Sequence, residues 1–323
     1  MTVSNKDENL APVVLFVYNR PEHTGQTLNA LAKNRLAEKS TLYIYSDGPR
    51  KGDEKKVEEV RTLIRQEAWC GDVHIMESET NNGLAASIKN GVSTILKEKG
   101  KVIVLEDDLV TSPAFLTYMN RALEVYKDRK SVFSISGYCL PAHKMEIPED
   151  YPYDVFACLR NSSWGWATWD DRWQQVDWSV GHYKTLAENE AVKEAFGRMG
   201  DDVFTMLSDM NSGKLDIWSI QFTLAHFVNH AVSIVPVKSY VDNIGMDGTG
   251  ENCRVSDGLR NLNLNEKTDL NWLDVIYQDK RIINAFYNAY CRKKRPLYKK
   301  IVNNISRKLG RENVFVIKKK IYD

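Results

Sequence analysis

Val102-Ile103-Val104-Leu105-Glu106-Asp107-Asp108 runs from four apolar residues straight into three consecutive carboxylates. A short unbroken apolar run of this kind reads as a buried strand of a parallel sheet. Four more runs share its character: Val13 to Tyr18, Leu42 to Ser46, Val73 to Glu77 and Val132 to Ser136. Between them apolar residues recur at helical spacing, as in Val57, Val60, Leu63 and Ile64, or Leu84, Ile88, Val92, Ile95 and Leu96. Ser112-Pro113 signals a helix start before Phe115, Leu116 and Met119, because proline at the first helical position gives up no needed donor. The alternation of strand and helix predicts a doubly wound α/β sheet.

Ligands of such sheets bind beyond the carboxyl ends of the strands, so the loops after each apolar run matter most. Here they are polar: Asn19-Arg20-Pro21, Asp47-Gly48-Pro49, Thr80-Asn81-Asn82-Gly83 and Glu106-Asp107-Asp108. Three adjacent carboxylates repel one another unless a cation relieves them. A hard divalent ion with oxygen ligands, Mg²⁺ or Mn²⁺, would do so and keep positions open for diphosphate oxygens. Such an ion acts as a Lewis acid on a leaving nucleoside diphosphate. The alternative is a solvated acidic turn at the N-terminus of the helix that follows Ser112. Asp47-Gly48-Pro49 likewise reads either as part of a nucleoside site or as a plain turn. Asn81-Asn82-Gly83 shares that ambiguity, although a helix N-terminus behind it could receive phosphate or sugar oxygens.

The strand ending in Glu-Asp-Asp-Leu and followed by Ser112-Pro113 and Phe115, the opening Phe16-Val17-Tyr18-Asn19-Arg20-Pro21, and Asn82-Gly83-Leu84 together resemble GT-A glycosyltransferases. The likeness is to bacterial family 2-like sugar transferases and the N-acetylglucosaminyltransferase I group, over about residues 12–255. It implies a Rossmann-like, mostly parallel sheet flanked by helices, and inversion at the anomeric carbon by direct displacement. Carried over by motif, Asp108 would be the metal ligand, Asp107 would face the donor ribose and Glu106 the nucleoside side. Asn19, Arg20 and Asp47 would border the nucleoside, with Asp47 accepting from the base, or Arg20 would meet phosphate through its bidentate guanidinium. Asn82 and Gly83 would stand near the phosphates, and Trp164-Gly165-Trp166 would line the cleft for donor sugar and acceptor.

An inverting transfer needs a base for the attacking hydroxyl. Asp216, in Leu215-Asp216-Ile217-Trp218, is the candidate; it precedes an apolar helix where the resembling enzymes carry their catalytic carboxylate, and Trp218 could stack on a sugar ring. The alternative is a helix N-cap, which aspartate favours, and Asp170 and Asp171 are rivals for the base. Similar enzymes often carry a histidine after an Asn-Ile-Gly-x-Asp-Gly loop. This chain has Asn243-Ile244-Gly245-Met246-Asp247-Gly248-Thr249-Gly250-Glu251-Asn252-Cys253 and no histidine, leaving Asp247, Glu251, Asn252 or water as further metal ligands. The glycines of 242–252 read as a mobile loop. His226 and His230 have the spacing of a zinc pair, but two histidines without a third ligand read as structural.

Three units are expected: 1–137 as the nucleotide-sugar half, 138–255 as the acceptor half of the same domain, and 256–323 as a helical, basic extension. The second half holds six of the eight tryptophans between Trp164 and Trp218, helical patterns at 184–198 and 217–229, and a strand at Val232 to Val235. Lys and Arg number 44 against 43 Asp and Glu, a balance that points away from nucleic acid. The imbalance is local. From Cys291 onward twelve basic residues face only Glu312 and Asp323, and Ile301, Ile305 and Leu309 repeat every fourth residue. That stretch reads as a solvated surface or as a contact with anionic lipid headgroups, worth about 1 kcal/mol per basic residue. Five dispersed cysteines without a CxxC pair, a polar N-terminus and no apolar run near the roughly 18 residues of a membrane span suggest the cytoplasm, with peripheral attachment at its membrane face.

These readings converge on transfer of a sugar from a UDP-sugar to a hydroxyl of a glycan or lipid-linked oligosaccharide, in surface polysaccharide synthesis. Sugar-1-phosphate nucleotidyltransfer is a second reading, although Asn19-Arg20-Pro21 replaces the Gly-rich loop it normally needs. A glycan-binding module would use the tryptophans but leave the three carboxylates without a task.

Overall fold

The computed structural model describes residues 9–249 and 258–291. The first half alternates as the apolar runs predict: β1 (Val13–Val17), α1 (Pro21–Ala32), β2 (Thr41–Ser46), α2 (Glu54–Ile64), β3 (Asp72–Glu77), α3 (Leu84–Lys99) and β4 (Lys101–Glu106). A short strand β5 (Leu109–Thr111) follows the acids and leads to α4 (Phe115–Tyr126) and β6 (Val132–Ser136). Pro113 lies in the turn before α4 rather than in its first turn, and the Ser112 hydroxyl and carbonyl accept from the Ala114 and Phe115 amides.

The second half adds β7 (Val155–Cys158), β8 (Trp166–Trp169), a one-turn α5 (Asp170–Trp173), then α6 (Tyr183–Glu188), α7 (Glu190–Gly197), α8 (Val203–Asn211) and α9 (Ser219–Val228). It ends with β9 (Val232–Pro236), β10 (Val241–Asn243) and α10 (Lys280–Tyr290). The helix expected over 184–198 is broken at Asn189, whose side chain accepts from the Ala191 and Val192 amides and so caps a new helix. The stretch expected to be loop from Asp242 begins as strand, because β10 pairs antiparallel with β5. Residues 250–257, with Glu251, Asn252 and Cys253, and the basic stretch 292–323 lie outside the described residues. No helix among the described residues is long and apolar enough to cross a membrane.

Eight strands form the main sheet in the order β3-β2-β1-β4-β8-β6-β9-β7. β3, β2, β1 and β4 are parallel. β8 runs antiparallel between β4 and β6, so β6 keeps the direction of the first four. Alternate residues feed two cores, as a sheet covered on both faces requires. Leu15, Leu105, Ile135 and Ala167 pack with α1, α2 and α4, whereas Val14, Val104, Phe133 and Trp166 pack with α3, α5 and α9. The 258–291 segment is less helical than expected: Leu270, Trp272 and Leu273 join the first core, Trp272 against Tyr118 and Tyr126, and α10 is the helix described within it.

Candidate active site

Parallel register brings three strand ends side by side. Phe16 lies opposite Glu106, and Val17 opposite Ser46, so the residues that follow each strand meet at one rim. A cavity opens there, lined by Tyr18, Asn19 and Arg20 after β1, Asp47 and Arg50 after β2, Gly83 and Leu84 at the start of α3, and Glu106 at the end of β4 with Asp107 and Asp108 after it. Phe16 and Tyr45, stacked with ring centres 5.3 Å apart, give it an apolar wall.

Asp107 and Asp108 converge on one nitrogen of Arg20: Nη2 bonds the Asp107 carboxylate and lies 2.9 Å from Asp108 Oδ2. All three side chains are largely buried, at 16%, 6% and 9% exposure. Burial works against the guanidinium charge, but the two carboxylates outweigh it and raise the Arg20 pKa. Nη1 of the same guanidinium is buried without a hydrogen-bond acceptor. The Asp107 carbonyl is held by the Thr27 hydroxyl at 2.9 Å, and the Asp108 carbonyl by the Ile244 amide at 2.9 Å. The backbone of the acids is therefore fixed by a side chain of α1 and by the residue that follows β10.

Burial, then the charges of Asp108 and Asp107, push the Glu106 carboxyl up to about 8, and Arg20 offsets this only in part. Burial also raises Asp107 against the pull of Arg20. A carboxyl with a raised folded-state pKa stabilises the fold relative to its charged form below the unfolded value, and that contribution disappears as pH rises through the folded value. Metal-free protein is accordingly expected to lose thermal stability between pH ~4.5 and ~8. Glu106→Gln should flatten that slope in melting curves recorded across the range, and an unchanged slope would count against the assignment.

Asp47 lines the cavity and also holds a neighbouring loop. Its carboxylate accepts from the Gly48 amide at 2.9 Å, the Asn82 amide at 2.9 and 3.1 Å and the Gly83 amide at 3.0 Å, with the Asn82 side chain at 3.3 Å. It anchors the loop that starts α3, and these donors take up most of a carboxylate's lone-pair sites. Gly83 adopts φ of 80°, a left-handed conformation that favours glycine, and exposes its backbone to the cavity. Asn82 itself points to Asp47 and the Thr80 carbonyl.

Two aromatic expectations are corrected. Trp166 is 1% exposed and stacks on Trp173 and Trp218 at 5.5 and 4.7 Å, inside the core between β8, α5 and α9. Trp218 is 2% exposed in the same stack, so neither ring is offered to a sugar. Gly165 is buried against Phe115, Leu105 and Val241. Their neighbour Trp164 is half-buried, edge-on to Tyr138 at 4.5 Å, away from the cavity lining.

Asp216 is exposed and caps no helix: the N-cap of α9 is Trp218, without a side-chain cap bond. Its Oδ2 lies 3.0 Å from the position a Cβ on Gly83 would take, so the carboxylate overhangs the cavity-lining loop. Its charge also supports Lys89, whose pKa burial lowers. The rivals point elsewhere, Asp171 to Lys130 and Arg172, and Asp170 to Gln174. His226 is buried between the Ser134 hydroxyl and the Phe222 carbonyl, and burial pushes its pKa down to about 4, which makes it a neutral core residue.

Sequence reasoning missed several lining residues. Tyr18 donates to Asp53 at 2.8 Å and accepts from the Arg50 amide at 3.0 Å, which joins the β1 and β2 loops. Ser87 and Thr249 also line the cavity, beside the expected Asn81. On α1, His23 Nε2 lies 3.1 Å from Asp247 Oδ2 and ties the 243–249 loop to that helix. Among the described residues no three Asp, Glu, His or Cys side chains form a cage for an ion on their own.

Comparisons with known proteins bear on the fold and the family. No curated protein matches the chain. Solved structures similar to it include S. aureus TarS residues 1–349, at 14% identity and TM-score 0.37 over 71% of this chain and 59% of that one. The mannosyltransferase PcManGT from Pyrobaculum calidifontis, solved with GDP-Man and Mn²⁺, matches at 14% identity and TM-score 0.36 over 52% of this chain and 49% of that one. Mouse xyloside xylosyltransferase 1 matches at 11% identity and TM-score 0.32 over 64% and 83%. The chain thus spans only 59% and 49% of the length of the first two of these. The profile of "Glycosyl transferase family 2" matches residues 13–175, which run from β1 through β8 and carry every acid of the cavity. With that match covering just over half of its length, the chain belongs to glycosyl transferase family 2.

Proposed function

We propose that this protein transfers one sugar from a UDP-sugar to a hydroxyl of a glycan acceptor, with inversion at the anomeric carbon. The observation that carries the reading is the cavity at the ends of β1, β2 and β4, where an aromatic wall, a paired guanidinium and three carboxylates meet. A nucleoside fits the end lined by Phe16, Tyr45 and Asn19, with the loop held by Asp47 as its floor. The ribose would meet Asp107 and Glu106. Diphosphate oxygens would face Arg20, whose Nη1 lacks an acceptor, and the N-terminal turn of α3, whose dipole favours anions.

The acids suit a divalent ion. Asp107 and Asp108 already converge on one cationic nitrogen, and their donors are all oxygen. Mg²⁺ and Mn²⁺ are commonly held this way, by one or two carboxylates with water and substrate phosphates completing the shell. When bound, the ion supplies Lewis-acid stabilisation of the departing diphosphate. Asp108 is its proposed direct ligand, and Asp107, whose other oxygen meets the ribose, lends the ion the second carboxylate charge. Asp216, over Gly83, takes the proton from the attacking acceptor hydroxyl, which enters from the side opposite the leaving group.

Removal of a general base lowers turnover by about 10²–10⁴. Asp216→Asn is therefore expected to cut kcat by that order while leaving UDP affinity unchanged; a variant with wild-type kcat would remove Asp216 from the reaction. The reaction class itself is tested by incubating the protein with a panel of UDP-sugars and following UDP release. Release that EDTA stops is expected with at least one donor, and no release from any nucleotide sugar would overturn the proposal. A lipid-linked oligosaccharide, presented at the anionic cytoplasmic membrane face to the basic stretch after Cys291, is the acceptor we favour.

A further inference from the structure

We propose that Arg20 is the resident counter-ion of Asp107 and Asp108, and that a divalent ion can take the two carboxylates only when a nucleoside diphosphate takes the guanidinium. The inference rests on the nucleotide-sugar reading and concerns how that site fills.

One nitrogen, Nη2, serves both carboxylates, so an ion entering between them has to displace it. The displaced guanidinium has little water to retreat to. Its side chain is 16% exposed, its second nitrogen has no acceptor, and Gly245 covers it so closely that a Cβ there would sit 2.9 Å from Nη1. An unpaired buried charge is strongly unfavourable, so metal alone competes poorly with Arg20. A diphosphate alone fares no better, because the two buried carboxylates already neutralise the arginine and repel the anion. When both arrive, each buried charge finds an opposite partner: the carboxylates hold the ion, and the guanidinium donates to phosphate oxygens in the bidentate manner for which arginine is suited. Only the side chain needs to move, since the Arg20 carbonyl remains fixed by the Thr24 amide and hydroxyl at 2.9 and 2.8 Å.

Calorimetry on the full chain tests this with Mn²⁺ alone, UDP in EDTA, and each in the presence of the other. Wild type is expected to bind each alone weakly and each at least ~10-fold tighter with the other present, by the same factor in both directions. Direct contact between ion and phosphate would also give coupling, so Arg20→Gln is decisive. It should bind Mn²⁺ alone at least ~10-fold tighter than wild type and show a smaller coupling factor. If this variant fails to fold, Arg20→Lys, which keeps the charge but not the planar bridge, should shift Mn²⁺ affinity in the same direction. Equal Mn²⁺ affinity in wild type and variant, with UDP still bound, would overturn the exchange and leave the nucleotide-sugar reading standing. No binding of UDP to wild type under any condition would overturn both.

Discussion

Asp108→Ala is expected to abolish metal-dependent UDP binding and to lower sugar transfer by about 10³ or more, the scale seen when a preorganised electrostatic contact to the reacting charge is removed. The Asp108 carboxylate sits where three constraints meet: Arg20 on one side, the Ile244 amide on its own carbonyl, and Gly245 against its oxygens. Truncation removes the proposed ion ligand and leaves Asp107 as the sole partner of Arg20. Folding should survive, because one carboxylate still pairs with the guanidinium. The check is UDP titration with Mn²⁺ beside a melting curve, and retained metal-dependent binding would place the ion elsewhere.

Gly245→Ala should be nearly as damaging although it touches no reacting atom. Gly245 has no left-handed backbone, so alanine is conformationally acceptable. Its Cβ, however, would lie 2.7 Å from Asp108 Cγ and 2.9 Å from Arg20 Nη1, closer than real contacts allow. The neighbours are side-chain ends, and they yield by turning away from the site. We expect a ~100-fold fall in transfer, as misplacement of reacting groups by about 1 Å commonly costs. Loss of stability should be about 1–3 kcal/mol at most, the range for an overpacked position. Steady-state kinetics with a thermal melt separates these effects, and wild-type kcat/KM in the alanine variant would show that the 243–249 loop does not bear on the acids.

Much of this was legible before any coordinates. The five apolar runs are five strands: the inner ones are covered on both faces and need continuous apolar sequence, β3 is the exposed edge, and the polar loops after them could only gather at one rim. The Glu-Asp-Asp run was readable for the same reason, as charge placed at a strand end. What composition could not give was direction of burial. Trp166 and Trp218 looked like sugar platforms, yet β8 lies between β4 and β6 with both faces covered, so Trp166 is core, and Trp218 at the start of α9 is buried by stacking on it. Asp47 looked like a choice between ligand and turn, and its carboxylate also holds a second loop through the Asn82 and Gly83 amides. The tie between His23 and Asp247 joins segments far apart in the chain, and no local pattern announces it.

The central claim is that a nucleoside diphosphate and a divalent ion share the cavity between Asp47 and Asp108. Crystals grown with UDP and Mn²⁺, measured at a wavelength where manganese scatters anomalously, test it most directly. The account predicts an anomalous peak within about 2.0–2.2 Å of an Asp108 oxygen, diphosphate oxygens on its open side, Arg20 turned from Asp107 toward phosphate, and the uracil ring beside Tyr45. A nucleotide bound away from β1, β2 and β4, or an anomalous peak remote from the three acids with Arg20 still bridging Asp107 and Asp108, would contradict it.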